Sequence, residues 1–331
     1  MPRSCRTQAR RRTALASATV IALSLTGCGL GTAGGFAPSG DLGGPLAHVK
    51  PLDDATIAVG SKNFTEQLIL GKIAVILLKS AGAKVKDYTN IPGSSSARQA
   101  QLQGQVQMEW EYTGTAWIAY MGHSNPIDNS IKQWKAVRNQ DLKQNQLVWL
   151  KPSPENNTYS FAVKQSTAKK YHLKTLGDIK KVPQKARTFC VESEFANRND
   201  GFQPMLKAYG LKLGTSVPRK NIKTLDTGAI YAATNNGLCN FGEVFTTDGR
   251  IKALHLKVLT DPKHFFPLYN VAPVLTKKIY DEYPQLKDLF EPVAQAINNN
   301  VMINLNAQVD VDGREPVDVA NDWLRKKGFI K

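Results

Sequence analysis

A strand that ends abruptly in a glycine turn constrains this chain more than any other stretch. Val106, Met108, Trp110 and Tyr112 alternate with Gln107, Glu109 and Glu111, which is the two-residue period of a β-strand. Thr113-Gly114-Thr115 follows at once, supplying a tight turn and hydroxyls suited to cap a helix begun by residues 116–120. Open α/β sheets gather ligands at such strand-to-helix turns, because side chains and free backbone N–H groups converge there. By itself the segment fits equally well a strand end with ordinary core aromatics.

The surrounding order extends the pattern. A short apolar strand over 56–59 runs into Gly60-Ser61-Lys62-Asn63-Phe64-Thr65-Glu66, where Asn63 and Glu66 have the spacing of a capping box. Leu68, Ile69, Ile73, Ile76 and Leu77 then recur at helical spacing as far as Gly82. Lys62 thus stands at a strand's carboxyl end; a surface lysine is ordinarily solvated, and this place raises the odds of contact with a ligand. A second strand over 84–91, a turn at 92–96 and a short polar helix over 97–102 lead to the strand at Val106. This strand–helix alternation predicts a mostly parallel sheet with helices on both faces. A helix over 132–145 and a strand over 147–150 complete the first series. Two prolines and paired asparagines break the pattern at 152–158, and a second series begins, with strands over 159–163, 187–191 and 238–244 and helices over 203–209 and 228–236. Beyond Asp261-Pro262 come a strand over 269–275 and helices over 285–299 and 316–327. Two α/β units in one chain imply a cleft between them.

The start of the chain reads differently. Arg3, Arg6, Arg10, Arg11 and Arg12 precede an uncharged run over 13–26, too short for a stable membrane span and shaped like a secretory signal. It ends in Leu25-Thr26-Gly27-Cys28, which resembles the lipobox of bacterial lipoproteins and marks Cys28 as a lipidated N-terminus. Residues 28–52 then read as a Gly-rich tether. The literal G-x-G-x-x-G at Gly29 to Gly34 is no nucleotide fingerprint, since no strand precedes it and no amphipathic helix follows. Loss of the five signal arginines takes the formal charge from +16 to +11, which favours anionic lipid or cell-wall polymer near the anchor. The basic residues are scattered, without an aromatic-interleaved stripe, and point to no nucleic acid. With Cys5 removed and Cys28 lipidated, Cys190 and Cys239 remain. In an oxidising space a single leftover pair reads most simply as a disulfide, with two buried free thiols as the alternative.

Six segments, in order, resemble the substrate-binding lipoproteins of osmoprotectant ABC importers, those for glycine betaine, carnitine and choline. They are the heptapeptide at 60–66, Glu-Tyr-Thr-Gly-Thr at 111–115, Asn-Asn-Thr-Tyr at 156–159, Glu-Phe-Ala-Asn-Arg-Asn-Asp-Gly at 194–201, Thr-Asp-Gly-Arg-Ile at 247–251 and His-Phe-Phe-Pro-Leu-Tyr-Asn at 264–270. The resemblance spans nearly everything from Thr56 to Phe329. It implies a two-lobed α/β fold of the type II periplasmic-binding-protein class, one lobe of 53–155 with 266–331 and another of 156–265, following the signal peptide 1–27. It implies a cage of rings, matched by Tyr112, Tyr159, Phe245 and Tyr269, for a quaternary ammonium head. Such a head has no N–H to donate, so the negative faces of aromatic rings are its natural partners. Phe245 stands where the family commonly has tyrosine, which keeps the ring and loses a hydroxyl. Lys62, Arg198 and Thr115 match the family's carboxylate-holding residues, and Ser95 the position that sets selectivity between betaine-like and choline-like ligands. Two cations beside the cage suggest an anion between them, and hence a zwitterionic ligand rather than choline. The resemblance further implies ABC permease and ATPase partners, and neither cofactor nor metal.

An enzyme is the competing class. The five histidines, at 48, 123, 172, 255 and 264, show no metal-ligand spacing, and neither a Gly-x-Ser-x-Gly elbow nor a phosphate-cradling loop occurs. A Cys190 nucleophile served by His264 is the one catalytic pairing on offer, although a thiol in an apolar strand is usually structural. A stalk-like adhesive lipoprotein lacks the repeats it would need.

Overall fold

The computed structural model describes residues 37–331; Cys28 and the signal stretch lie outside the described residues. Ten strands form two five-stranded sheets. The first is ordered β2-β1-β3-β10-β4, from β1 (Thr56–Lys62), β2 (Lys84–Ile91), β3 (Met108–Tyr112), β4 (Leu147–Trp149) and β10 (Val271–Thr276). Its first three strands are parallel, and β10 runs antiparallel to both β3 and β4. The second is ordered β7-β6-β8-β5-β9, from β5 (Tyr159–Lys164), β6 (Phe189–Val191), β7 (Ile222–Thr224), β8 (Phe241–Phe245) and β9 (Leu256–Val258). Here β6 is parallel to β7 and β8, while β5 is antiparallel to β8 and β9. Each sheet therefore receives one strand whose direction opposes its parallel core, and in both cases that strand adjoins a crossing of the chain between sheets.

Helix α1 (Thr65–Ser80) follows β1 and buries Ile69, Leu70, Ile73, Ala74, Val75, Ile76, Leu77 and Leu78, a nearly continuous apolar surface. It lies between the first sheet and the C-terminal helices, Asn299–Asp310 and Pro316–Lys326. No capping box starts it. The residue before its first turn is Phe64, and Asn63 instead accepts a long bond from the Gly93 N–H at 3.4 Å. Glu66 turns inward, where four side-chain donors from a crossing, the end of β3, the segment after β8 and a C-terminal helix meet its carboxylate.

The crossings run side by side and are stitched by asparagines. Asn156 Oδ1 accepts from the Tyr269 N–H at 2.7 Å, and the Asn270 amide donates to the Glu155 carbonyl at 2.8 Å. Asn157 donates to Glu66 at 2.9 Å, Tyr112 Oη donates to it at 2.7 Å, Thr247 Oγ1 at 2.5 Å and Asn306 at 3.2 Å. Burial drives the Glu66 pKa up while these four donors pull the other way. One carboxylate thus ties β1's turn, β3's end, a crossing, the segment after β8 and a C-terminal helix. Close by, Gly249 lies against Ala307, with a Cβ at 249 falling 2.6 Å from Ala307 Cα.

Residues 37–52, expected to belong to the tether, are packed. Leu46 and Leu52 are buried, the Gly43 N–H donates to the Phe329 carbonyl at 2.9 Å, and the Lys331 N–H donates to the Asp41 carbonyl at 2.8 Å. Apolar residues spaced through this glycine-rich stretch give it surface to bury against the C-terminal segment. Cys190 and Cys239 are joined by a disulfide that pins β6 to the turn before β8. Among the described residues no helix is long and apolar enough to cross a membrane.

Candidate functional site

β3 is buried along its whole length. Met108, Trp110 and Tyr112 enter the main core, while Glu109 and Glu111 face a buried layer of charge. Glu111 accepts from Lys62 Nζ at 2.6 Å and from Tyr120 Oη at 2.8 Å. Beyond it, Arg98 pairs with Asp141. Gly114 lets the strand end approach the returning crossing closely, for a Cβ there would lie 2.7 Å from the Leu268 carbonyl oxygen and 2.8 Å from the Tyr269 ring. That approach brings Tyr269 beside Tyr112 at the mouth of the first sheet.

Between the sheets lies a small cavity of about 30 Å³, lined by Lys62, Phe64, Ser94, Tyr112, Thr115, Asn157, Tyr159, Arg198, Phe245 and Tyr269. Its walls are mainly rings. Tyr159 lies 5.4 Å from Tyr269 with the ring planes at 86°, and 5.2 Å from Phe245; Phe64 stacks on Phe245 at 5.1 Å and lies 6.1 Å from Tyr112. Burial pushes the hydroxyl pKa values of Tyr112, Tyr159 and Tyr269 up, so the rings stay neutral and present unperturbed π faces.

The structure brings seven of the eight expected ligand residues onto this cavity: Lys62, Tyr112, Thr115, Tyr159, Arg198, Phe245 and Tyr269. Ser95 is the exception. It is exposed on the first turn of α2 (Ser94–Leu102), and its neighbour Ser94 faces the rings, because one residue along a helix start turns a side chain by about 100°. Phe64, a ring at the β1–α1 turn, and Asn157 were not singled out from sequence. For Phe64 the signal was available: an aromatic residue at a strand's carboxyl end beside Lys62.

The cations depart from expectation more deeply. Lys62 is bonded to Glu111 and lies 5.0 Å from the Tyr112 ring centre. Arg198 Nε and Nη2 donate to the two oxygens of Asp200 at 2.7 and 2.8 Å, and Nη1 donates to Glu194 at 3.1 Å. Asp200 is itself bound by Tyr269 Oη at 2.6 Å. Neither cation is unpaired, so the premise that two bare positive charges demand an anion between them fails. The sequence showed Lys62 and Arg198 but not which acids the fold would seat against them. Cys190 is committed to its disulfide, so its sulfur is no free nucleophile for His264.

Residues 55–326 match the family model for the substrate-binding domain of ABC-type glycine betaine transport systems. The chain belongs to this family. As a member it is 37% identical to the glycine-betaine-binding protein of Pseudomonas aeruginosa, the match covering 83% of this chain and 89% of that protein. Among solved structures it resembles apo YehZ from Escherichia coli, 31% identical with a TM-score of 0.62 over 83% of this chain and 99% of that one. A glycine betaine/carnitine/choline ABC transporter structure is 29% identical with a TM-score of 0.66, covering 82% and 98%. The two sheets of this family member are those of a two-lobed periplasmic binding protein.

Proposed function

We propose that the protein captures a quaternary ammonium osmolyte of the glycine betaine type between its lobes and passes it to an ABC permease driven by an ATPase. One observation carries the reading: five rings, Phe64, Tyr112, Tyr159, Phe245 and Tyr269, from both sheets and the returning crossing, converge on one cavity. A permanent cation with no N–H is held by such faces at about 0.5–2 kcal/mol per ring. Thr115, Lys62 and Arg198 line the same cavity, and we assign them to a carboxylate tail, for which the two cations must share or exchange their present acids. The family and the P. aeruginosa relative support the ligand class. The role is binding and handover, without bond-making. Lobes of 53–155 with 266–331 and of 156–265 serve as the jaws.

Calorimetry with glycine betaine tests the site. The protein should bind, and Tyr159→Ala, which removes the ring contacting both Phe245 and Tyr269, should weaken binding by about tenfold or more. Absence of binding by any quaternary ammonium compound would end the reading. We further propose that Cys28 carries lipid and anchors the protein outside the cytoplasm; Cys28→Ala should leave the membrane fraction, and its retention there would refute the anchor.

A further inference from the structure

Two outer chambers of about 580 and 480 Å³ flank the ring cavity, and they share Ser94 and Glu194. Between the chambers a bar crosses the cleft. The Ser94 N–H, at the start of α2 on the first sheet's side, donates to Glu194 Oε2 at 2.9 Å. Glu194 belongs to the short helix Ser193–Asn197 of the second sheet's side, and its other oxygen accepts from Arg198 Nη1. The carboxylate therefore spans the lobes and supplies Arg198 with a second anion beside Asp200. Arg198 and Asp200 are almost wholly buried, at 5% and 2% side-chain exposure, whereas Glu194 is one-third exposed and sits at the cleft mouth. Burial raises the Glu194 pKa, but the Ser94 bonds and the nearby Arg198 and Lys62 charges outweigh it and leave the value lowered, so the group is an anion.

On the reading of the cavity as a quaternary ammonium site, we propose that Glu194 is a built-in stand-in for a ligand carboxylate and sets the selectivity between zwitterionic and purely cationic ligands. Asp200 and Glu194 together give the Arg198 cluster a net charge of −1. A third carboxylate brought to it is repelled unless Glu194 swings out into the chambers, which its partial exposure allows. A ligand without a carboxylate leaves Glu194 seated and meets an Arg198 cluster of net negative charge, which suits a cation. Glu194 thus works against betaines and not against choline, as an element of repulsion toward one ligand class.

The test is calorimetric titration of the protein, Glu194→Gln and Asp226→Asn with glycine betaine and with choline. Glutamine keeps a carbonyl oxygen for the Ser94 N–H, removes the charge, and gives up the bond that the other oxygen accepts from Arg198. Asp226 lines the same cleft and contacts neither Ser94 nor Arg198 in any hydrogen bond or ion pair described, so its variant measures the general effect of one acid fewer. Glu194→Gln should raise the affinity ratio of glycine betaine over choline by about tenfold, and Asp226→Asn should leave it within about threefold. Glu194→Ala, which also deletes the bar, should shift the ratio in the same direction and gives a second determination if glutamine disturbs the helix. A ratio unchanged in both Glu194 variants, or moved equally by Asp226→Asn, overturns the proposal while leaving the quaternary ammonium site standing. Failure of both ligands to bind the unsubstituted protein overturns the site itself, and the selectivity role with it.

Discussion

Glu109 is the second residue of β3, with 1% exposure, and its Oε1 has no hydrogen-bond partner within the protein. Burial, reinforced by the charge of Glu111, pushes its pKa up to about 8, against the pull of Lys62 and Arg98. A carboxyl whose folded pKa is raised favours the folded state while protonated. Its contribution is full below the ordinary value of 4.5 and is lost as pH rises through about 8. Melting temperature should therefore fall between pH 5 and about pH 9, and Glu109→Gln should remove much of that fall, a difference on the order of 1–3 kcal/mol at the alkaline end. Parallel declines in the two proteins would show that Glu109 does not titrate in this window. At this scale the sequence was partly legible. Tyr112, Tyr159, Phe245 and Tyr269 were readable through the family resemblance, whose cage positions they match; period and spacing alone left them as ordinary core aromatics. The acids that seat Lys62 and Arg198 were not: Glu111 reaches Lys62 across 49 residues only through the fold, and alternation along a strand ordinarily assigns its charged face to water, while Asp200 and Glu194 stand two and four residues from Arg198 in a loop whose spacing does not aim a carboxylate.

Among the elements, the long ones were plain and the short ones were not. α1 and the helix Ser130–Asn145 announce themselves by length and periodicity, whereas β7 and β9, three residues each, carry too little pattern to stand out from a loop. The segment after Gly114 was expected as a helix; it is one turn of α-helix, Thr113–Thr115, followed by a π-helical turn over Ala116–Tyr120. That widened turn accompanies Tyr120 reaching Glu111 and the Ser94 carbonyl. In the second sheet the bond between Cys190 and Cys239 closes a 49-residue separation over β6, β7 and the helix Thr227–Asn235. Closing a loop of that size restricts the unfolded chain, so replacing both cysteines by alanine should lower stability by about 2–4 kcal/mol in denaturant titration. Because the ring cavity draws on β5, β8 and the Arg198 loop rather than on β7, glycine betaine affinity in the folded double variant should stay close to that of the parent. A stability loss near zero would mean that β6 and the turn before β8 are held by packing alone.

The molecule as a whole is two sheets meeting at paired crossings, with rings and ion pairs reaching over the gap. Phe64 stacks on Phe245, Tyr269 bonds Asp200, Ser94 bonds Glu194, and Arg250 reaches Asp310 at 3.3 Å. A ligand seated among them touches both sides of the gap, and only contacts that differ between an open and a closed arrangement can shift their balance. Gly249 offers a handle on that balance at a distance from the ligand. Its missing side chain lets the second lobe seat against the backbone of the helix Asn299–Asp310, where a methyl would lie 2.6–2.7 Å from three atoms of Ala307. Gly249→Ala should act as a shim, propping the jaws ajar without removing a single ring, and Gly249→Val as a thicker one. Solution scattering should show the radius of gyration growing from glycine to alanine to valine while betaine affinity drops by about tenfold per step. Equal radii across the series would place the yielding elsewhere. A graded response would make one glycine a mechanical stop, by which the reach of the jaws is set independently of the chemistry of the ligand they hold.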